Sequence, residues 1–233
     1  VKFPVKQAAD PALTEGVSAV IWTTTPWTIP GNRAMACAKS LNYGLYQVGD
    51  EKLILCDDLA ERAMSAADIT DYQRLSDVEP EGLICAHPFA GQGYDFDVPI
   101  LAGDFVTAET GTGLVHIAPG HGQDDFELGL KHRIEVPFTV DEAGVYFDHV
   151  PIFAGKRVLD ENGKNGDANG AVITALIEAN ALFAKGKLRH QYPHSWRSKA
   201  PLIFRNTPQW FVSMEHNNLR DKALKAIDEV NWF

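Results

Sequence analysis

The sequence predicts an α+β fold with a strand-rich, barrel-like core and a few peripheral helices. The chain has 233 residues, of which 19 are glycine, 13 are proline and 12 are phenylalanine, a composition typical of many turns and strands rather than of a helix bundle. Its apolar runs are short and are bounded by glycines and prolines. Because 45% of the residues are hydrophobic, the chain can bury a substantial core, and this content argues against disorder.

The first third of the chain is predicted to alternate strands with irregular loops. Residues 17–22 form an apolar run that ends in TTTPWTIPGN, where two prolines exclude a helix interior and favour a strand leading into a loop. Residues 43–48 and 52–56 flank Gly49-Asp50, which indicates a β-hairpin. Asp57 or Asp58 can then cap a helix that runs to about Ala67.

The rest of the chain is predicted to mix short strands with three helices. Glycines and prolines break residues 70–110 into short strands. The segment QDDFELGLKHRI opens on acids and closes on bases, which suits a helix dipole. Residues 171–183 form the clearest helical pattern, and NLRDKALKAI indicates a short terminal helix. KLRHQY and PLIFRN are predicted strands.

The charge distribution favours a local anion-binding surface on an acidic protein. The net charge is −10, which by itself argues against nucleic-acid binding. Residues 179–214 nevertheless carry six positive charges and no negative one, which leaves −16 for the remainder. A solvated pair of basic strands would explain this pattern equally well. The six cations are Lys185, Lys187, Arg189, Arg197, Lys199 and Arg205.

Cysteine and histidine spacing argue against disulfides and metal sites, and no cofactor is expected because the chain has no GxxxxGK(S/T) or GxGxxG string. Cys37, Cys56 and Cys85 are odd in number and form no CxxC pair, so we expect buried thiols in a reducing cytoplasm. The pair in HQYPH is interrupted by Pro193, which prevents the helix that would align it for zinc. No run approaches 18 apolar residues and no apolar leader opens the chain, so no membrane partner is expected. The opening VKFPVK has no initiator Met and indicates an internal fragment of a larger protein.

Three clusters of residues could carry chemistry. WTTTPWT followed by Asn32 offers hydroxyls, indoles and an amide, although an ordinary threonine-rich edge strand would look alike. GTGLVHIAPGHG permits close backbone approach around His116, yet a lone strand histidine is more often structural. Asp124 and Asp125 open a helix, where acids are the expected caps, but a carboxylate facing a pocket can also hold an ammonium group.

These strings together resemble one family. WTTTPWTIPGN, GTGLVHIAPGHGQDDF and YPHSWRSKAPLIFRNTPQWF are similar to the editing insertion of class I isoleucyl-tRNA synthetases, from end to end of the chain. The valyl and leucyl relatives typically carry TTRP where this chain has Thr24-Thr25-Pro26 preceded by Thr23, and the missing Arg favours the isoleucyl branch. Gly31 replaces the more usual Ala before Asn32. The resemblance implies the common editing-domain fold in one domain over residues 1–233, with residues 185–233 leading back to the catalytic body. No HIGH or KMSKS string is present, so we expect no amino-acid activation by this chain.

The resemblance implies proofreading of isoleucine tRNA. An apolar pocket separates isoleucine from valine by only about 150-fold, a figure measured on isoleucyl-tRNA synthetase itself, so a second pocket must hydrolyse valine attached in error. Post-transfer hydrolysis of Val-tRNA(Ile) by water attack is the expected reaction, with valyl-adenylate as a further substrate. The expected partners are tRNA(Ile) and the rest of the synthetase in cis, around a monomeric domain. The alternatives are a non-catalytic tRNA-binding module and a free-standing hydrolase of small esters or amides.

The resemblance also implies roles for individual residues. Asp125 would pair with the substrate ammonium, while His116 and Trp22 would limit the size of the side chain. The ester, the terminal adenosine or the attacking water would be held by Thr23, Thr24, Thr25, Thr28 and Asn32. The acceptor end of the tRNA would meet Lys185, Lys187, Arg189 and Arg197. Trp210 and Phe211 could stack on an unpaired base, but QWFV favours a buried strand end.

Overall fold

The computed structural model describes residues 1–186 and 191–231, and these ranges contain nine strands and four α-helices. The strands are β1 Lys2–Gln7, β2 Val17–Val20, β3 Ala34–Cys37, β4 Tyr43–Val48, β5 Glu51–Cys56, β6 Gln73–Val78, β7 Ile84–Ala86, β8 Asp97–Ala102 and β9 Val115–Ile117. The α-helices are α1 Asp57–Ala66, α2 Gln123–Lys131, α3 Ala168–Glu178 and α4 Leu219–Glu229. Short 3-10 helices cover Pro11–Leu13, Pro26–Gly31 and His216–Asn218.

All nine strands belong to one mixed sheet, in the order β6-β4-β5-β2-β1-β7-β8-β3-β9. Most neighbours are antiparallel, but β2 runs parallel to β5 and β3 runs parallel to β8. The sheet is not closed, although an isolated parallel bridge between Trp22 and Val115 brings the β9 edge back to the chain that leaves β2. The predicted α+β, strand-rich architecture is therefore confirmed, with an open, curled sheet in place of a complete barrel.

The central hairpin follows directly from local sequence. Strands β4 and β5 pair from Tyr43–Cys56 to Val48–Glu51, and Gly49 adopts the positive φ of 54° that a tight turn requires. Helix α1 follows at once, but the predicted acidic cap is wrong, because Cys56 is the N-cap. Asp57 instead accepts hydrogen bonds from the Tyr46 hydroxyl at 2.6 Å and from Arg74.

Helix α3 covers Ala168–Glu178 rather than residues 171–183. Val172 and Leu176 are buried, which confirms the predicted apolar face of the helix at these two positions. The helix ends early because Asn180 takes a positive φ of 51°. The following Ala181 carbonyl then accepts the Lys2 N–H at 2.7 Å, which ties this end to strand β1.

The segment after α3 differs most from the prediction. KLRHQY lies largely in residues 187–190, which are outside the described ranges. PLIFRN forms no strand, because the one β-bridge that the structure gives these residues joins Pro201 to His194. Trp210 is 100% exposed and Phe211 is 88% exposed, so the expected burial of these two side chains is wrong. No strand forms here to hold Trp210 and Phe211 against the sheet, so both side chains face solvent in the described part of the chain.

The core lies between the curled sheet and the segments of chain that follow β9. Its largest fully buried side chains include Phe3, Phe89, Phe153 and Tyr146. All three cysteines are free and buried, as expected for small apolar residues. Over the described ranges, no helix has the length and apolar character needed to cross a bilayer.

Candidate functional site

Residues 23–32, here called the threonine loop, follow strand β2 and contain the 3-10 helix Pro26–Gly31. Pro26 suits the start of this helix because the N–H that it lacks has no partner at that position. The Thr25 N–H donates to Thr23 Oγ1 at 3.0 Å, and the Thr28 N–H donates to the Thr25 carbonyl at 3.0 Å. The threonines therefore shape the backbone of their own loop.

Strand β9 places His116 beside the threonine loop. Strand β9 pairs with β3 in a register that sets His116 opposite Met35, the second residue of β3. His116 Nε2 lies 2.9 Å from Thr28 Oγ1, and His116 Nδ1 lies 2.9 Å from Asn32 Nδ2. All three side chains are buried. His116 thus forms one hydrogen-bonded cluster with Asn32 and Thr28, which lie 84 and 88 positions earlier in the chain.

The partners of Asn32 determine which nitrogen of His116 carries the hydrogen. Asn32 Nδ2 also donates to the Ala34 carbonyl at 2.8 Å, and the opposite amide orientation would set two oxygens against each other. His116 Nδ1 is therefore the acceptor, and its Nε2–H donates to Thr28 Oγ1. Thr28 in turn donates its hydroxyl hydrogen to the Thr25 carbonyl at 2.9 Å.

His116 and Thr28 do not form a base and nucleophile pair. Burial lowers the pKa of His116 to about 3, so the ring is neutral near pH 7. Its one lone pair accepts from Asn32, and the hydrogen of the Thr28 hydroxyl is already donated to the backbone. A threonine nucleophile needs an adjacent base, and His116 has no lone pair left to act as one. The hydrogen-bonded cluster instead forms a rigid part of the cavity wall.

Asp125 is the third residue of helix α2 and brings a carboxylate to the same region. The N-cap is Gly122, so Asp125 is a first-turn acid and not the cap. Asp125 Oδ1 accepts the Ala118 N–H at 2.7 Å, and burial raises the pKa of Asp125 above its ordinary value. A Cβ on Gly122 would overlap Asp125 Oδ2, so the glycine makes room for the carboxylate. The neighbouring Asp124 is exposed.

These groups line one cavity of about 300 Å³. The predicted site residues on its wall are Trp22, Thr23, Thr24, Thr25, Thr28, His116 and Asp125. Asn32 is fully buried and reaches this wall only through its hydrogen bond to His116. The structure thus brings together seven of the eight predicted catalytic and substrate-binding residues, from three separate segments of the chain, around one space.

Within the threonine loop, the hydroxyls of Thr24 and Thr25 are the ones left for a ligand. Thr24 is exposed, and within the described ranges its hydroxyl makes no hydrogen bond. Thr25 Oγ1 has only a long contact of 3.4 Å with Thr23 Oγ1. Thr28, in contrast, already has a donor and an acceptor. The hydroxyls of neighbouring threonines therefore differ in whether they can form hydrogen bonds to a ligand, although the sequence does not distinguish them.

His121 also lines the cavity, although sequence reasoning predicted no role for it. Its Nδ1–H donates to the Phe204 carbonyl at 2.9 Å, so its Nε2 accepts from the Thr139 hydroxyl at 2.6 Å. Its ring meets the Trp27 ring edge-on at 4.7 Å, and burial lowers the pKa of His121 to about 4. The cavity also includes Thr107, Thr110 and Thr112, a second run of hydroxyls that the spacing TAETGT could have indicated.

A larger cavity of about 860 Å³ shares Trp22 and residues 23–25 with the first. Two cations, Arg62 and Lys185, lie on its wall. Arg197 is exposed and holds its guanidinium 5.1 Å from the centre of the Trp196 ring, away from both cavities. The other two predicted tRNA-binding residues, Lys187 and Arg189, lie outside the described residues.

Of the two histidines in the HQYPH segment, the structure describes only His194. His194 Nδ1 lies 2.8 Å from the Tyr192 carbonyl, and His190 is outside the described ranges. Within residues 1–186 and 191–231, no three His, Cys, Asp or Glu side chains are grouped so that they could hold a metal ion.

A solved structure shares the fold of this chain. A structure described as "The crystal structure of GlLeuRS-CP1" superposes with a TM-score of 0.57, covering 80% of this chain and 98% of that one. The two sequences are 15% identical, so this likeness concerns the fold. The family model described as "Leucyl-tRNA synthetase, editing domain" matches residues 17–150, more than half of the chain, and the chain therefore belongs to this family of editing domains.

Curated relatives confirm the resemblance to isoleucyl-tRNA synthetases. The isoleucine–tRNA ligase of Bradyrhizobium diazoefficiens is 47% identical to this chain over its full length, and that of Agrobacterium fabrum is 51% identical, again over the full length. The chain spans about a quarter of these relatives, 26% and 27% of their lengths.

Proposed function

We propose that this domain hydrolyses the ester between valine and tRNA(Ile), as the post-transfer editing site of an isoleucyl-tRNA synthetase. The observation that carries the proposal is the smaller cavity, which combines a carboxylate, two available threonine hydroxyls and a rigid neutral histidine. Membership of an editing-domain family and the similarity to isoleucine–tRNA ligases support the same conclusion. Amino-acid activation is not part of the proposal, since the chain has no HIGH or KMSKS string.

Asp125 binds the substrate ammonium in this proposal. Its Oδ1 is occupied by the Ala118 N–H, which fixes the carboxylate and leaves Oδ2 for the ligand. Partial burial weakens competition from water, so an ion pair here is stronger than one on the surface. The cost of burying this charge, visible in its raised pKa, is offset when the ammonium arrives.

His116 and Trp22 set the size of the side-chain pocket. His116 cannot swing aside, because both ring nitrogens are hydrogen-bonded to Asn32 and Thr28. One additional methylene is worth about 1–3 kcal/mol in a pocket of this kind, but a wall that does not yield can exclude it more strongly. The rigid cluster thus favours valine over isoleucine.

A water molecule carries out the hydrolysis. Its oxygen forms a bond to the ester carbonyl carbon, the bond from that carbon to the ribose oxygen breaks, and the ribose hydroxyl leaves with a proton while valine is released. Thr24 and Thr25 orient the ester or the water, and an ester is reactive enough for positioning to supply much of the acceleration. No metal or cofactor enters this mechanism.

The acceptor end of the tRNA approaches through the larger cavity. Lys185 on its wall, together with Lys187, Arg189 and Arg197 along the following segment, supplies phosphate contacts. Valyl-adenylate is a second substrate, since it presents the same ammonium and side chain. In this proposal residues 1–233 form a single monomeric domain in cis with the rest of the synthetase, and residues 185–233 lead back to the catalytic body.

Deacylation of two radiolabelled esters tests the proposal. The isolated chain should hydrolyse Val-tRNA(Ile) well above the rate in buffer and Ile-tRNA(Ile) at least about 10-fold more slowly. If both esters decay at the buffer rate, the hydrolase function is wrong and a non-catalytic tRNA-binding module remains. If both decay equally fast, the cavity belongs to a general esterase. A valyl-adenosine ester without tRNA shows whether the basic segment is needed for chemistry or only for affinity.

A further inference from the structure

The threonine loop cannot satisfy the backbone hydrogen bonds of Trp27 by itself. In a 3-10 helix each carbonyl accepts from the N–H three residues later. For Trp27 that residue is Pro30, which has no N–H, so the Trp27 carbonyl has no donor within the helix. The Trp27 N–H lies in the first turn, where helix donors also lack partners. A buried peptide group left without partners destabilises the folded state, so another part of the chain must supply them.

Tyr146 satisfies the carbonyl of Trp27. Its hydroxyl donates to the Trp27 carbonyl from 119 positions away, and both residues are buried. The tyrosine is itself held firmly, because its N–H donates to the Lys156 carbonyl and its carbonyl accepts from Gly155. Its ring lies 5.9 Å from that of Phe153 in the core. The donor is therefore a fixed part of the fold.

Asn169 satisfies the other side of the same residue. It lies in the first turn of α3, and its Oδ1 accepts the Trp27 N–H at 3.1 Å from 142 positions away. Helix α3 packs directly against the 3-10 helix of the threonine loop. Trp27 is thus held at its N–H and at its carbonyl by two side chains from different elements.

We propose that Tyr146 and Asn169 are positioning residues of the editing site. They hold the threonine loop in its active geometry through their two hydrogen bonds to the backbone of Trp27, here called the grip. Neither side chain needs to touch the substrate for this role. The proposal rests on the proposed hydrolase function, because the geometry that they maintain is that of the substrate cavity.

Trp27 is the residue through which this grip reaches the cavity. It lies between Thr25, whose hydroxyl is available to a ligand, and Thr28, which is bonded to His116. Its indole ring also supports His121 at 4.7 Å. A shift of Trp27 therefore moves three cavity-lining side chains together. Misplacing reacting groups by about 1 Å can lower a rate about 100-fold.

The replacement Tyr146→Phe tests the carbonyl side of the grip, with Tyr94→Phe as its matched control. Tyr94 is another buried tyrosine of the same core, and its hydroxyl donates to the Pro151 carbonyl at 2.9 Å, away from the threonine loop. Tyr146→Phe should lower kcat for Val-tRNA(Ile) about 10- to 100-fold with little change in KM. Tyr94→Phe should leave kcat within about twofold. Equal losses in both variants would show a general effect on stability and overturn the proposal.

The pair Asn169→Ala and Asn169→Asp tests the N–H side. Alanine removes the acceptor and should lower kcat, while aspartate keeps an acceptor oxygen at the start of a helix and should restore most of it. This pair remains informative if Tyr146→Phe folds poorly, because Asn169 is only partly buried. A loss of kcat in Asn169→Asp as large as that in Asn169→Ala would contradict the positioning role.

Amide exchange at Thr28 and Asn32 separates this proposal from the hydrolase function. Both N–H groups donate within the threonine loop, to Thr25 and to Ile29. They should exchange at least about 10-fold faster in Tyr146→Phe and Asn169→Ala than in the wild type or Tyr94→Phe. A wild-type chain without turnover would reject the hydrolase function, while the exchange rates still decide whether the grip exists. Unchanged exchange in both variants would overturn the grip whatever the activity.

Discussion

Two neighbouring acids, Asp124 and Asp125, differ entirely in what their side chains touch. Asp124 is exposed, whereas Asp125 accepts the Ala118 N–H and faces the cavity with a raised pKa. Both occupy the first turn of α2, where any acid gains from the helix dipole. The difference comes from the i, i+1 geometry of a helix, which turns consecutive side chains to different faces. Of the two, only Asp125 lies on the wall of the cavity.

The replacement His116→Ala tests the size of the side-chain pocket. Removing the ring opens space beside Thr28, so Ile-tRNA(Ile) should become a better substrate relative to Val-tRNA(Ile), by about 10-fold or more in the ratio of rates. The ratio is measured on one preparation and does not depend on the fraction that is folded. Thr28→Val removes one of the two hydrogen bonds that hold the His116 ring but keeps the ring itself, so it should change the ratio in the same direction and by less. A ratio unchanged by His116→Ala would mean that another residue sets the size limit.

The start of helix α2 depends on a glycine for a reason of space rather than of backbone conformation. Gly122 has φ −151°, which any residue can adopt. A Cβ there would overlap Asp125 Oδ2, so Gly122→Ala should push the carboxylate out of place and reduce hydrolysis of Val-tRNA(Ile) strongly, by about 10-fold or more. Gly170→Ala, where a Cβ meets nothing within 4 Å, is the control and should keep full activity. Normal hydrolysis by Gly122→Ala would show that the position of Asp125 is not critical.

The basic segment should act on affinity and not on chemistry. Replacing Lys185, Lys187 and Arg189 with Gln should weaken tRNA binding and reduce its salt dependence, by about 2 in the slope of log K against log salt. The rate on a valyl-adenosine ester should not change. The matched control removes three exposed charges elsewhere, at Lys39, Lys131 and Lys164. Equal losses of affinity in the two triple variants, or a slower minimal ester, would contradict a specific tRNA-binding surface.

Across the whole molecule, local signals were predicted well and long-range ones were not. The β4–β5 hairpin depends on Gly49-Asp50 and α2 on its terminal charges, so both could be found from short stretches of sequence. The strand expected in PLIFRN is absent because a strand needs a neighbour, and these residues have only one bridge. The prediction that Trp210 is buried is wrong for the same reason, because it depended on that strand.

The candidate site shows the same division. Motifs indicated the residues on its wall, but not which hydroxyls are free, because that depends on partners such as His116, 88 positions from Thr28. His121 was missed since its acceptor, the Phe204 carbonyl, is 83 positions away. Tyr146 and Asn169 carry no motif at all, and only the fold brings them to Trp27. Side chains that act on a distant backbone leave no local pattern in a sequence.

The account as a whole depends on recognition of the substrate ammonium by Asp125, and one set of rates tests it most directly. Hydrolysis of Val-tRNA(Ile) and of N-acetyl-Val-tRNA(Ile), which has no ammonium group, is measured with the wild type and with Asp125→Ala, and Asp124→Ala serves as the matched control. The wild type and Asp124→Ala should hydrolyse the free amine about 100-fold faster than the acetylated ester, because the ion pair positions the ester for attack. Asp125→Ala should be slow with both esters and lose the preference. Equally fast cleavage of the acetylated ester by the wild type would contradict the account, because Asp125 would then only stabilise the start of α2 and the cavity would recognise something other than an aminoacyl group.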